Sequence, residues 1–266
     1  MMARSNIAHA LETVDVLRER WLDRASDLFA KLGLWDAELD DWRDAVERIV
    51  TGFDPVTGLF EEFAGFHALE LIDLREYASR DEPIDLIIGA ERTKRTRVVR
   101  QADIVALITL LPDKFPEAIA EKNFRYYEPI CAHGSSLSAG AHALVAARTG
   151  QADLALHYLR ETASRDLDLD PNSAGGVRIA DFDSLWGAVV FGFAGLNMGG
   201  RTLAIDPKLP PNWKNPSFRV RWKGRSIAIR IANGSVETAL FEGPPMDIRV
   251  AGMTKTLTTN GSTQAT

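Results

Sequence analysis

The sequence predicts an α+β fold, mainly α, in which a series of paired helices precedes a small antiparallel β unit. Three observations carry this expectation. Apolar residues recur three and four apart through most of the first two-thirds of the chain. The period changes to two after Gly199-Gly200. Long connections rich in turn residues separate the helical stretches. Roughly seven helices can be read in this way. That is about half of what a closed toroid of six helix pairs needs. The expected architecture is therefore about half of such a toroid, or else a smaller helical array, over residues 1–198, followed by a small β domain over 199–266.

The first expected helix runs from Ile7 to Leu32, with Leu11, Val14, Leu17, Trp21, Leu28 and Leu32 at helical spacing. Gly33 ends it as a C-cap. Asp36 opens a second amphipathic helix through Trp42, Val46 and Ile49. Thr51 to Arg95 is irregular, broken by Asp54-Pro55, Thr57-Gly58 and Pro83. Helices are then expected over Arg97–Leu111 and Glu117–Tyr127, each stopped by a following proline. Ser138–Thr149 and Ala152–Arg165 form a helical hairpin around Gly150, and Ser184–Leu196 is the last helix. Beyond the double glycine, PSFRVRWKG, RSIAIRIAN and SVETALFEG alternate as strands between turns. Phe218, Val220 and Trp222 share one face, and Arg219, Arg221 and Lys223 the other. The polar tail from Thr254 reads as frayed.

Composition narrows the classes of function. A net charge of -6 gives no general attraction to nucleic acid or an anionic membrane. The one cysteine, Cys131, excludes an intrachain disulfide and fits a reducing, cytoplasmic setting. No apolar run reaches transmembrane length, and the first twenty residues lack the apolar core of a secretory signal.

The densest cluster of chemistry-bearing residues runs from Tyr126 to Ser138. His133, Gly134, Ser135 and Ser136 stand just before a helix. A helix N-terminus offers unpaired N–H groups and partial positive charge. A glycine lets backbone approach a ligand, and two hydroxyls add donors, so these are the parts of a phosphate site. Two serines before a helix also make an ordinary N-cap, the commoner reason for finding them there. Cys131 and His133 suggest a thiol and a base, yet a lone cysteine is more often core. His133 and His142 lack a recognised metal-ligand spacing, so no metal is expected. A second cluster, Lys94 to Asp103, places Arg97 and Gln101 on one helical face with Arg100 beside them. Such a group can grip sugar hydroxyls and an anion, or form a solvated basic helix start. A third piece, Ser173 to Arg178, joins small residues to one cation and also reads as a plain interhelical turn.

Taken in order, these pieces resemble the C-terminal portion of glycoside hydrolase family 65. The matching stretches include Phe53-Asp54-Pro55 to Glu61, Pro83-Ile84-Asp85, Arg100 to Asp103, Leu110 to Asp113 and Tyr127 to Ser138. Ala143 to Arg148 and Val189 to Gly195 follow, so the resemblance covers nearly the whole chain up to about residue 240. It implies an (α/α)6 barrel with a small β domain and an inverting α-glucoside phosphorylase of the maltose, trehalose or kojibiose type. Phosphate attacks the anomeric carbon while a general acid protonates the glycosidic oxygen. On this resemblance His133, Gly134, Ser135, Ser136 and Arg178 bind phosphate, and Arg100 and Gln101 meet the sugar. Inorganic phosphate is co-substrate and no cofactor is expected.

The sequence departs from the family at several places. The family pair at Arg100-Gln101 is usually Lys-Gln. Arg178 replaces a histidine of the phosphate site, and Asp181 to Gly187 is more acidic and lacks the family glutamine. Met1 to Arg4 match the family just after its catalytic glutamate, so no general acid is assigned to this sequence. The expected ligands are a small sugar or disaccharide and phosphate, and a polypeptide carrying the preceding half is an expected partner. The alternatives are a family hydrolase and a non-catalytic sugar- or anion-binding remnant or subunit. The loop Gly134-Ser135-Ser136 has no carboxylate to act as a hydrolytic base, which favours the phosphorylase.

Overall fold

The computed structural model describes residues 1–80, 82–134, 136–167, 179–232, 234–259 and 262–265. The chain folds as two units, Met1–Ala64 and Gly65–Thr266. No helix among the described residues is long and apolar enough to cross a membrane.

The first unit holds helices α1 (Met2–Arg20), α2 (Leu22–Leu32) and α3 (Asp36–Arg48). The single helix expected from Ile7 to Leu32 is divided at Trp21, whose backbone leaves the helical region (φ -142, ψ 56). On a continuous helix Arg18 and Phe29 would lie about 16 Å apart. Here the Arg18 guanidinium sits 5.4 Å from the Phe29 ring centre and pairs with Asp36 at 2.6 Å. The break thus folds α2 back and buries Val14, Ala25 and Leu39. Gly33 caps α2 in the left-handed region (φ 64), as the sequence predicts. The hairpin β1 (Phe53–Asp54) and β2 (Leu59–Phe60) closes the unit. Its turn is held by the Asp54 carboxylate, which accepts from the Val56 N–H and the Thr57 hydroxyl.

The second unit begins with short helical turns, among them α4 (Ile84–Ile87) and α5 (Ala90–Thr93). It continues through α6 (Asp103–Leu110), α7 (Glu117–Tyr127), α8 (Ser136–Arg148), α9 (Ala152–Leu167) and α10 (Ile179–Gly187). Helix α8 is the centre of the helical layer. Ala139, Ala143, Val145, Ala146 and Ala147 are all buried on it, as expected of a helix covered on several sides. Small residues permit close approach. A side chain on Gly140 would meet Ser184 of α10 at 2.4 Å, and one on Gly192 would meet Leu144 and Ala147. Helix α10 passes into a π-helical turn, Ala188–Phe193, so the last helix starts earlier than the sequence suggests and changes pitch. The α8–α9 hairpin turns at Gly150 (φ 77), as expected.

The helix expected from Arg97 to Leu111 is shorter. It starts at Asp103, and the β-branched pair Val98-Val99 before it is buried in extended backbone instead. Arg97 and Gln101 therefore do not share a helix face. The Arg97 guanidinium donates to the backbone carbonyls of Leu69 and His67, a structural role.

The β region contains two four-stranded sheets. One has the order β10-β7-β6-β5 and the other β3-β4-β8-β9. Strands β5 (Ser217–Trp222), β6 (Arg225–Ala232) and β7 (Ser235–Glu242) are the three read from alternation. Val220 and Trp222 point inward and Arg219 and Arg221 outward. The Lys223-Gly224 turn joins β5 to β6 with both residues at positive φ. The second sheet comprises β3 (Leu196–Asn197), β4 (Leu203–Ile205), β8 (Met246–Val250) and β9 (Met253–Leu257), with β4 and β8 parallel. Ile205, Ile227, Ile229, Ile248 and Leu257 fill the shared core. The tail is not frayed from Thr254, because β9 runs to a buried Leu257 and β10 (Ser262–Ala265) pairs with β7. Between the helices and the sheets, the Lys208 ammonium donates to the Arg148 carbonyl at 2.6 Å and pairs with Glu117 at 3.3 Å.

Candidate functional site

Two segments about thirty residues apart in sequence run side by side in parallel through the Val99–Cys131 bridge. The Val99 N–H donates to the Ile130 carbonyl, that of Ala132 to Val99, and that of Gly134 to Arg100 at 2.8 Å. This ladder forms one wall of a cleft of about 1260 Å³. A Cβ at Gly134 would stand 2.9 Å from the Arg100 carbonyl oxygen, so the ladder requires a glycine there. His133, next to it, adopts a left-handed backbone (φ 50), costly for a non-glycine residue and common at functional sites.

The left-handed turn brings the His133 ring over the start of α8. Its Nδ1 lies 3.0 Å from the Ser138 hydroxyl, which is also 3.3 Å from the Cys131 sulfur. The rings of His133, His142 and Tyr158 pack at 4.6–5.1 Å between centres. His142 is fully buried on α8. Its Nδ1 donates to the Ser138 carbonyl at 2.8 Å, while its Nε2 has no hydrogen-bond partner among the described residues. Burial, and next the charge of His133, push the His142 pKa down to about 3, so this imidazole is neutral at ordinary pH.

The rest of the cleft carries both signs of charge. The Arg100 guanidinium pairs with Asp85 at 3.3 Å. Arg80 donates to the Ala132 carbonyl at 2.8 Å and so braces the ladder. The Tyr158 hydroxyl donates to Glu128 at 2.7 Å. Burial, with the Glu128 hydrogen bond and charge, raises the Tyr158 pKa, so the phenol stays protonated. A mixed set of guanidinium, imidazole, phenol and carboxylates in an open cleft suits a polar, polyhydroxylated ligand carrying or meeting an anion.

Residues 1–187 match the glycosyl hydrolase family 65 central catalytic domain, and residues 196–257 match the C-terminal domain of the same family. The chain belongs to glycosyl hydrolase family 65. It is similar to the kojibiose phosphorylase of Halothermothrix orenii, 30% identical over 241 residues that make up 90% of this chain and 31% of the relative. It is also similar to the α,α-trehalose phosphorylase of Thermoanaerobacter brockii, 31% identical over 248 residues, 93% of this chain and 32% of the relative. The chain thus spans about a third of the length of these relatives. A solved structure described as a putative kojibiose phosphorylase from the human microbiome shares the fold. Its TM-score is 0.82 at 24% identity, over 97% of this chain and 39% of that one.

Of the family 65 positions singled out in the sequence, Arg100, His133 and Gly134 line the cleft together. Gln101 is exposed beside Arg100 and outside the cleft lining. Ser136 is the first residue of α8. Ser135, the Ser136 side chain and Arg178 lie outside the described residues. Sequence reasoning missed the Tyr158–Glu128 pair and the approach of His142 to His133. Helical spacing between Ser138 and His142, four residues apart, was the available signal for the second. Asp181, in the acidic departure from the family pattern, is buried, and neither carboxylate oxygen has a hydrogen-bond partner among the described residues.

Proposed function

We propose that this chain supplies the phosphate-side half of an inverting α-glucoside phosphorylase site. The observation that carries the reading is the parallel ladder, which sets Arg100, His133 and Gly134 on one cleft wall, ahead of the α8 N-terminus. The phosphorylase names of the family relatives support it. In this reading residues 1–198 are part of an (α/α)6 barrel and 199–266 its appended β domain. The ligands are a glucose disaccharide and inorganic phosphate. Phosphate is held by His133, Gly134, Ser135 and Ser136 with Arg178, and the glucosyl unit by Arg100 and Gln101. A phosphate oxygen forms the new bond to the anomeric carbon, and the glycosidic oxygen leaves with a proton from a general acid. No residue of this sequence is assigned that acid.

The purified chain is expected to release no sugar phosphate from kojibiose, trehalose or maltose by itself. Mixed with a polypeptide carrying the preceding part of a family 65 barrel, it is expected to release β-glucose 1-phosphate, the inverted product. Free glucose in its place would turn the reading to a hydrolase, for which Asp85, Glu128 and Glu161 on the cleft are the candidate bases. Neither product, together with a melting temperature still raised by phosphate or by sugar, would sink both and leave a binding remnant. A ligand held only by the folded chain must raise that temperature by mass action.

A further inference from the structure

Cys131, His133 and His142 each place one ligand atom within 4.8 Å of the other two, although the sequence puts them at no recognised metal-ligand spacing. The ladder holds Cys131, the left-handed turn brings back His133, and α8 supplies His142 from beneath. We propose that these three residues form a site for a borderline-soft divalent cation of the Zn(II) class, with its fourth position open to the cleft.

Three features of the cluster point to a cation in addition to packing. First, His142 Nε2 is a buried lone pair without a hydrogen-bond partner among the described residues. Its other nitrogen, Nδ1, donates to the Ser138 carbonyl. That is the arrangement that fixes the tautomer and orientation of a metal-bound histidine. Second, the Cys131 sulfur and His133 Nδ1 are 3.9 Å apart. Two such ligands on one tetrahedral zinc ion stand roughly 3.5 Å apart, given the usual Zn–S and Zn–N lengths. That pair needs only a small closure, and the widest pair, at up to 4.8 Å, closes by about an ångström, with the Ser138 hydroxyl turning aside. Third, one thiolate and two neutral imidazoles select zinc-like ions over magnesium or calcium, which prefer oxygen ligands. Both Cys131 and His133 line the cleft, so three protein ligands leave a position there for water or an anion. Binding converts the Cys131 thiol to thiolate and releases its proton to solvent. The site does not depend on the phosphorylase reading.

The test uses the full chain without a polyhistidine tag. Zn(II) is titrated against a chromogenic chelator, and Co(II) is used as the spectroscopic probe. One Zn(II) per chain is expected, weakened about a hundredfold or more in Cys131→Ser and in His142→Gln, at the upper end of what second-shell changes alone produce. The Co(II) form is expected to show a thiolate-to-cobalt band in the near ultraviolet and tetrahedral bands in the visible. Zn(II) should also protect Cys131 of the wild-type chain from alkylation, a measurement that needs no variant to fold. Wild-type Co(II) spectra without the thiolate band, or equal affinity in well-folded Cys131→Ser, overturn the site. Visible bands unchanged by azide overturn the open fourth position.

Discussion

In the β-sandwich, Ile227, Ile229, Ile248 and Leu257 fill the space between two sheets with aliphatic side chains. In the cleft wall of the same unit, Cys131, His133, His142 and Tyr158 pack against one another. The first region is stabilised by removing apolar surface from water. The second buries polar atoms, leaves His142 Nε2 without a partner among the described residues and holds His133 in a left-handed backbone. Each of those features costs stability. The sandwich is the scaffold of the unit, and the cleft wall holds its reactive groups in fixed positions.

Removing sandwich packing should have the largest effect on stability. Ile248→Ala is expected to cost about 2–5 kcal/mol, as for other buried Ile to Ala changes. Denaturant melts should record this loss, and phosphate-dependent shifts in the surviving folded protein should stay as in the wild type. Gly134→Ala is the counterpart in the cleft wall. Its Cβ would press on the Arg100 carbonyl, and the cost should be about 1–3 kcal/mol, typical of overpacking. Amide exchange at Val99, Ala132 and Gly134 should accelerate in that variant, while the β6 and β7 amides stay protected. If the sandwich amides loosened equally, the two regions would not be separable.

Acid sharpens the contrast further. The folded pKa of His142 lies near 3, below the ordinary histidine value of 6.5. Between those values the unfolded chain takes up a proton that the folded chain refuses. The stability from keeping His142 neutral is thus full above about pH 6.5 and falls as pH drops toward 3. The slope is up to about 1.4 kcal/mol per pH unit. His142→Gln should flatten this part of a stability–pH profile, and an unchanged slope would count against the burial argument. The smallest effect is expected at Arg100→Ala. The Arg100–Asp85 pair has an arginine side chain 59% exposed, so its loss should move stability by less than about 1 kcal/mol. Weaker phosphate or sugar binding is its expected signature, read by calorimetry.

Much of this arrangement was legible in the sequence, for a physical reason. Strands β5 to β7 have one face in the core and the other in water, so Phe218 to Trp222 alternate visibly. The α8–α9 hairpin was legible from Gly150, which takes the positive φ of the turn. The parallel pairing of β8 with the distant β4 was not, because no local turn announces it, and β9 was missed although the Ala251-Gly252 turn joins it to β8. The ladder beside the cleft was hidden likewise. Val98 to Arg100 continue the apolar pattern of a helix, and only their pairing with Ile130 to Gly134 makes them extended. Arg100, His133 and Gly134 were named as site residues from resemblance, yet the histidine pair required knowing that His133 turns back over α8.

The Lys208 ammonium bridges the end of α8, through the Arg148 carbonyl, and the start of α7, through Glu117. It does so from the strand side, just after β4. Helical layer and sandwich therefore share a clasp at a point where neither could open without exposing the other. A calorimetric scan of this unit should then show one endotherm, with equal calorimetric and van't Hoff enthalpies. Lys208→Met should lower its midpoint only slightly, since Glu117 is 75% exposed and Val190 and Ala194 still pack the helical layer into the sandwich core.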